Sequence, residues 1–154
     1  MPLSHHQAMQ LAINSALTGI QCGAGGPFGA VIVRQEQVLA VAHNTVLSDR
    51  DPTCHAQMNA IRLACQQLNH HDLTGCKIYT TAEPCPMCMA AIFWARLEQL
   101  YIGVDKAVAA RFGFDDEKFY QQLQHPTLPS QRGILATECA QVFEHWQSLK
   151  GTLY

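Results

Sequence analysis

Two short segments with potential metal ligands constrain the fold of this chain most strongly. The first is His55-Ala56-Gln57 and the second is Pro84-Cys85-Pro86-Met87-Cys88. Cysteines three positions apart lie one turn apart on the same side of a helix start, where proline is also tolerated. One imidazole and two thiolates match the three protein ligands of a catalytic zinc site, which keeps its fourth position for water. We therefore expect both segments to open helices, with His55, Cys85 and Cys88 converging on one metal ion.

Two other interpretations of these residues compete with a catalytic metal site. A closed structural zinc site would need a fourth protein ligand, and the chain offers none at suitable spacing. Cys54 is adjacent to His55, but neighbours on one helix point about 100° apart, so both are poorly placed for one ion. A redox C-x-x-C pair or two buried cysteines is the other interpretation of Cys85 and Cys88. The flanking pattern T-x-E-P-C-P-M-C-M-A-A-I, over residues 81–92, favours the metal site.

The composition indicates a globular protein that acts on a small molecule. The 154 residues are 48% hydrophobic and 14% charged, which predicts one domain, residues 1–154, with a full-sized core. The net charge is −2 and the basic residues are few and scattered, so a nucleic-acid partner is not expected. We expect no membrane span and no secretory signal, because no long apolar run is present. The cysteines outside the metal pair resemble core residues of a reducing compartment, so we expect a cytoplasmic protein.

Hydrophobic periodicity predicts alternating strands and helices, and hence an α/β fold. The predicted strands cover residues 28–34, 38–43, 77–81, 100–104 and, at an edge of the sheet, 133–136. The predicted helices begin after Ser4, after Asp51-Pro52-Thr53 as a cap and at residue 86, with two more ending at Leu123 and Lys150. The first helix should pack through a stripe formed by Met9, Ile13, Leu17 and Ile20. The strand–helix–strand order in mid-chain implies parallel neighbours, with both ligand segments at strand ends, where α/β sheets build sites.

Several segments resemble the guanine deaminases of the cytidine deaminase-like superfamily. The superfamily segments are Pro27-Phe28-Gly29-Ala30, Ala42-His43-Asn44, Asp51-Pro52-Thr53-Cys54-His55-Ala56 and Glu83-Pro84-Cys85-Pro86-Met87-Cys88. The segments typical of guanine deaminases are Phe93-Trp94-Ala95-Arg96, Gly113-Phe114-Asp115-Asp116 and the C-terminal Tyr154. The resemblance implies a three-layer α/β/α sandwich with a central mixed sheet of about five strands, and one Zn²⁺ per chain with a bound water or hydroxide. It also implies hydrolysis of guanine to xanthine and ammonia, in which a glutamate carries the protons.

The resemblance also assigns substrate-binding residues. Phe28 would stack on the purine and Asn44 would hydrogen-bond its edge; otherwise they are an ordinary core residue and a turn residue. Asp115 or, preferably, Asp116 would accept hydrogen bonds from the base, unless both only cap a helix. The remaining residues assigned to the substrate site are Ala56, Glu83, Pro84, Trp94 and Tyr154. The resemblance further implies a homodimer with exchanged C-terminal tails, in which Tyr154 closes the pocket.

Position 57 departs from the family pattern, which has glutamate there. Gln57 keeps the size and the hydrogen-bonding reach of glutamate but has no proton that titrates near neutral pH. We therefore expect a catalytically impaired deaminase that still binds its substrate, either an engineered Glu→Gln variant or a natural non-catalytic paralogue. Rival substrates are an aminotriazine or pterin-like base, cytosine, and adenosine in transfer RNA. Rival classes are a non-catalytic zinc- or purine-binding protein and a structural zinc module.

Overall fold

The computed structural model, which describes residues 2–154, has a four-stranded mixed sheet at its centre. Its strands are β1 (Gly29–Arg34), β2 (Gln37–His43), β3 (Cys76–Ala82) and β4 (Gln99–Val104), in the spatial order β2-β1-β3-β4. β1 pairs antiparallel with both of its neighbours, whereas β3 and β4 are parallel. The expected parallel pairing of mid-chain strands is therefore confirmed for β3 and β4, while β1 separates β2 from β3.

Helices cover both faces of the sheet and complete the expected three layers. They are α1 (His5–Gln21), α2 (Val46–Asp49), α3 (Ala56–Leu68), α4 (Pro86–Trp94), α5 (Lys106–Arg111), α6 (Glu117–Gln124) and α7 (Ala136–Ser148). The side chains of β1 alternate between the layers: Ala30 and Ile32 pack with α3 and α4, while Val31 and Val33 pack with α1. β1 is thus buried on both faces, as expected of a central strand in an α/β sheet.

The first helix packs on the sheet through small residues rather than through its larger apolar ones. The predicted packing stripe is wrong for Ile13, Leu17 and Ile20, which are 39%, 47% and 44% exposed. The buried residues of α1 are instead Ala8, Ala12, Ala16 and Gly19. A Cβ added to Gly29 would lie 1.9 Å from the carbonyl oxygen of Ala12, so the backbones of β1 and α1 are in direct contact. Such a close approach leaves room only for small side chains on the packed face.

Capping residues account for where the helices begin. Ser4 caps α1 as predicted, because its hydroxyl accepts a hydrogen bond from Gln7 N, and Gln7 Oε1 accepts one from Ser4 N. The predicted cap at residues 51–53 is wrong, since α3 begins at Ala56 and Asp51 Oδ1 instead accepts hydrogen bonds from Thr53 N and Oγ1. This local turn orients the chain just before the first ligand segment.

The C-terminal part of the chain forms an exposed arm. The predicted edge strand at 133–136 is wrong, because Gly133 and Leu135 have φ values of 80° and 49° and α7 starts at Ala136. The sheet accordingly has four strands within the described residues rather than about five. All side chains of residues 121–150 are exposed, including the apolar Val142 and Phe143 of α7. Across residues 2–154, no helix combines the length and apolarity needed to cross a membrane.

Candidate metal centre and active site

The two ligand segments meet at the starts of adjacent helices. His55 and Cys85 are the N-cap residues of α3 and α4, and Cys88 lies in the first turn of α4. His55 Nδ1 lies 3.5 Å from Cys85 Sγ and 3.5 Å from Cys88 Sγ. Within residues 2–154, no other histidine, cysteine, aspartate or glutamate joins this cluster. The sequence therefore identified the ligand cluster that the fold assembles.

The spacing of the three ligand atoms fits a tetrahedral zinc ion. Zinc–nitrogen and zinc–sulfur bonds of about 2.0 and 2.3 Å at a tetrahedral angle place the two ligand atoms about 3.5 Å apart. The observed separations of 3.5 Å between His55 Nδ1 and each sulfur match that edge. Three ligands, one nitrogen and two sulfurs, leave a fourth position for water or substrate, as in catalytic rather than structural sites. The three donor atoms thus fit a zinc ion with one open position.

The surroundings of the two cysteines favour the thiolate form of one of them. The Cys88 thiol donates a hydrogen bond to Cys85 and so lowers the pKa of Cys85 to about 4. Burial of Cys85 opposes this shift, whereas a hydrogen bond with His55 lowers the pKa further. The same interaction, together with burial, raises the pKa of Cys88, which keeps its proton. The hydrogen bond with Cys85 raises the pKa of His55. The pair therefore shares one proton, which a metal ion would have to displace.

Gln57 lies beside the ligands, in the first turn of α3. It is 4% exposed, and its Oε1 lies 3.6 Å from Cys88 Sγ. Gln57 lines the same cavity as His55 and Cys85. Gln57 thus lies at the cavity beside the predicted ligands, and its amide has no proton that titrates near neutral pH.

A cavity of about 660 Å³ opens onto the ligand cluster. The substrate residues expected from the sequence that line it are Phe28, Asn44, Glu83 and Asp116. Residues that sequence reasoning did not assign to the site also line it, namely Gly25, Gly26, Val46, Leu47, Pro52, Phe114 and Phe119. Phe114 meets Phe28 edge to face, with ring centroids 4.9 Å apart. Its place in the segment Gly113-Phe114-Asp115-Asp116 was the signal that could have identified it.

The amide of Asn44 has a fixed orientation. Its Oδ1 accepts hydrogen bonds from Gly26 N at 3.3 Å and from Val46 N at 3.0 Å. The side chain is 5% exposed, and no acceptor for its Nδ2 is found among residues 2–154. Because the acceptor is in use, Asn44 presents donors to the cavity.

The two neighbouring aspartates differ in their surroundings. Asp115 Oδ1 accepts a hydrogen bond from Glu117 N at the start of α6, which is a capping role. Asp116 makes no side-chain capping bond and lines the cavity with His55 and Cys85. Burial, and secondly the nearby Cys85 thiolate, raises the pKa of Asp116. Asp116 is thus the carboxylate available to a ligand.

The other residues assigned to the substrate have different positions. Glu83 Oε2 accepts from Lys106 N at 2.7 Å, and the Pro84 carbonyl accepts from Tyr120 Oη at 2.9 Å, so both hold later segments in place. The Ala56 side chain is fully buried in the core. Trp94 and Tyr154 lie outside this cavity, with ring centroids 6.0 Å apart.

The fold and the ligand cluster together define a metal-dependent deaminase of the cytidine deaminase type. Residues 3–104 match the family described as the cytidine and deoxycytidylate deaminase zinc-binding region, and the chain belongs to this family. It is similar to the guanine deaminase of Bacillus subtilis (strain 168), with 38% identity over 95% of this chain and 96% of that protein.

Two further comparisons agree with this assignment. The crystal structure of guanine deaminase from Bacillus subtilis superposes with a TM-score of 0.89 at 39% identity, covering 94% of each chain. A tRNA-specific adenosine deaminase of Aquifex aeolicus (strain VF5) is 42% identical, but over only 59% of this chain and 63% of that protein. The expected cytidine deaminase-like α/β fold is confirmed.

Proposed function

We propose that the protein is built to hydrolyse guanine to xanthine and ammonia, with a proton-transfer step impaired by Gln57. The observation that carries this proposal is the cavity that combines the His55, Cys85 and Cys88 cluster with the Asp116 carboxylate. Similarity to a guanine deaminase along 95% of the chain supports the choice of base. Guanine has adjacent N–H donors on its ring and 2-amino group, for which a carboxylate is a matching acceptor.

The proposed cofactor is one zinc ion per chain, held by His55, Cys85 and Cys88. When bound there, zinc supplies hydroxide at neutral pH, because it lowers the pKa of a bound water to about 7. Thiolate and imidazole ligands favour zinc over magnesium or calcium.

The chain's own residues would orient the base against that position. Phe28, braced edge-on by Phe114, offers a ring face for stacking. Asn44 donates from its free Nδ2 to an acceptor on the purine edge, and Asp116 accepts from the N–H groups. These contacts act on substrate and transition state alike, so we expect them to set affinity more than rate.

Gln57 would leave binding intact while removing proton transfer. An amide can hydrogen-bond a ring nitrogen or a water, but it cannot take up a proton and deliver it later. One acid–base role contributes roughly 10²–10⁴-fold to the rate. The alternative is a purine-binding protein without catalysis, and Gln57 is the one feature that favours it. The complete cluster of His55, Cys85 and Cys88 favours a deaminase instead.

A substrate panel tests the proposed base. The Gln57→Glu variant, loaded with zinc, would be assayed for ammonia release from guanine, an aminotriazine, a pterin, cytosine and a transfer RNA with adenosine at its wobble position. We expect release from guanine above all others. Preference for the RNA would instead assign the chain to the class of its Aquifex relative, although a net charge of −2 disfavours such a substrate.

We also propose a homodimer in which the C-terminal arm packs on the partner subunit. The arm exposes large apolar side chains on α7 and at its C-cap: Val142, Phe143 and Leu149 are 66%, 75% and 68% exposed. Contiguous exposed apolar side chains of this kind are typical of an interaction surface. Sedimentation velocity of Phe143→Glu against the control Gln141→Glu tests this: only the first should shift the protein to monomer. A monomeric parent would contradict the proposal.

We further propose a cytoplasmic location and a role in purine breakdown or salvage. Seven free cysteines, four of them buried, support a reducing compartment.

A further inference from the structure

Asn59 of α3 connects the segment that carries Asn44 with the segment that carries His55. Its Nδ2 donates to the His43 carbonyl oxygen at 3.0 Å and to Thr45 Oγ1 at 2.8 Å, on either side of Asn44. The same amide nitrogen lies 3.4 Å from the carbonyl oxygen of Cys54, the residue before His55. The Asn59 side chain thus contacts the residues on both sides of Asn44 and the residue before His55.

The orientation of the Asn59 amide is determined by its surroundings. Its Oδ1 accepts from Arg62 Nη1 at 3.2 Å, and Arg62 Nη2 also donates to Thr53 Oγ1 at 3.3 Å. A flipped amide would place a carbonyl oxygen against two carbonyl oxygens and the NH₂ group against a guanidinium. The arrangement therefore requires a group that donates on one side and accepts on the other, which asparagine provides.

The backbone already joins the same two segments at one point. Thr45 N donates to the Cys54 carbonyl oxygen at 2.9 Å, directly beside the Asn59 contacts. The additional bonds from Asn59 restrict the relative orientation of the two segments more tightly than this one backbone bond does. We call this set of hydrogen bonds the Asn59 junction. Because Asn44 and His55 each lie one residue from these bonds, the distance between Asn44 and His55 depends on the junction.

We infer that Asn59 is a positioning residue that sets the placement of Asn44 relative to the metal centre and thereby the affinity for the purine. This inference rests on the proposed function, since it assumes that Asn44 binds a base. Asn59 does not line the cavity and would not touch the base itself. Its effect on affinity must therefore pass through Asn44.

A double-mutant cycle tests this dependence. Guanine affinity would be measured by calorimetry on the zinc-loaded full chain and on Asn59→Ala, Asn44→Ala and the double variant. Coupling energies between contacting polar residues lead us to expect about tenfold weaker binding for Asn59→Ala, and less than about twofold further loss when Asn44 is already alanine. Asn14→Ala is the matched control, because Asn14 is a helical asparagine with one exposed side-chain bond to Gln10. It should bind guanine as the parent does.

The Asn59→Asp variant and the zinc content of both variants provide a second test. Asn59→Asp retains the size and the Arg62 partner but loses both donors, so it should fold and weaken guanine binding as Asn59→Ala does. Equal losses in the presence and absence of Asn44, or no loss in either variant, would overturn the inference. Zinc content should remain at one ion per chain in both variants, because all three ligands are kept. Loss of zinc in Asn59→Asp would show that Asn59 supports the metal centre instead, and would overturn its role in placing the purine.

Failure of the proposed function gives a different pattern. If the zinc-loaded parent does not bind guanine, that function fails, and the positioning role is then decided by amide hydrogen exchange. Exchange at Thr45 N should be at least about tenfold faster in Asn59→Ala than in the parent, as expected when a local junction loosens. Exchange at Val31 N, in the central strand, should not change. An unchanged rate at Thr45 would overturn the inference independently of any ligand.

Discussion

Zinc binding at about pH 5.5 should release about two protons from the metal-free protein, because the site holds two at that pH. Cys85 is already a thiolate, since its pKa is lowered to about 4 by the hydrogen bond from Cys88. Cys88 and His55 both have raised pKa values, so each still carries its proton. A zinc-bound water stays neutral there, because its pKa is about 7.

The pH dependence of zinc affinity follows from the same count. Zinc binds the deprotonated forms, so its affinity rises with pH, by about tenfold per unit for each proton released. Between about pH 5 and 6, we therefore expect about a hundredfold increase. An ordinary Cys85 thiol would add a third proton and make the increase about a thousandfold.

Two independent assays measure the proton count. An indicator dye in weakly buffered solution reports the protons released when zinc is added. Competition with a chromophoric chelator at several pH values reports the slope of the affinity. Cys139→Ser, which removes an exposed cysteine of α7, is the control and should change neither result. Three protons, or one, would refute the assignment of a single preformed thiolate.

Three further predictions concern stability and binding. Zinc at a hundredfold excess over its Kd should raise the free energy of unfolding by about 2.7 kcal/mol. Removing the zinc with a chelator should therefore lower the Tm by roughly 5–10 °C in calorimetry, and an unchanged Tm would contradict a zinc site that forms only in the folded protein. Asn44→Ala should weaken guanine binding by about 5- to 100-fold in titration calorimetry, because a donor to the buried base is lost. Ser4→Ala removes the cap of α1 and should cost about 1 kcal/mol in urea unfolding, with an unaltered midpoint counting against the capping role.

The convergence of His55, Cys85 and Cys88 could be predicted from the sequence because the information for it is local. His55 opens one helix, and Cys85 and Cys88 span the first turn of the next, so helix geometry alone brings the two sulfurs together. The two helix starts meet because α3 follows β2 and α4 follows β3, and these strands run in the same direction, both antiparallel to β1. The hydrophobic pattern predicted the parallel β3–α4–β4 unit but not this arrangement around β1.

Other features depend on contacts that periodicity does not contain. Both faces of α1 have helical spacing, and only the close approach at Gly29 selects the alanine face over Ile13 and Leu17. The apolar run at 133–136 has the composition of a strand, but Leu135 adopts a left-handed conformation.

The aspartate pair illustrates the same limit within the site. Asp115 and Asp116 are adjacent and chemically identical, so composition cannot assign their roles. The start of α6 decides between them, because Asp115 takes the capping bond and leaves Asp116 free to face the cavity. The junction formed by Asn59 was equally hidden, since it joins segments that are distant in sequence.

The most direct test of the account compares guanine turnover and guanine affinity in the zinc-loaded chain and its Gln57→Glu variant. We predict ammonia release at least about 10²-fold faster in the variant, with an affinity for guanine that differs little, because only proton transfer is restored. Equal turnover in the two proteins, with zinc and guanine bound in both, would contradict the central claim that Gln57 is the defect in an otherwise complete deaminase site.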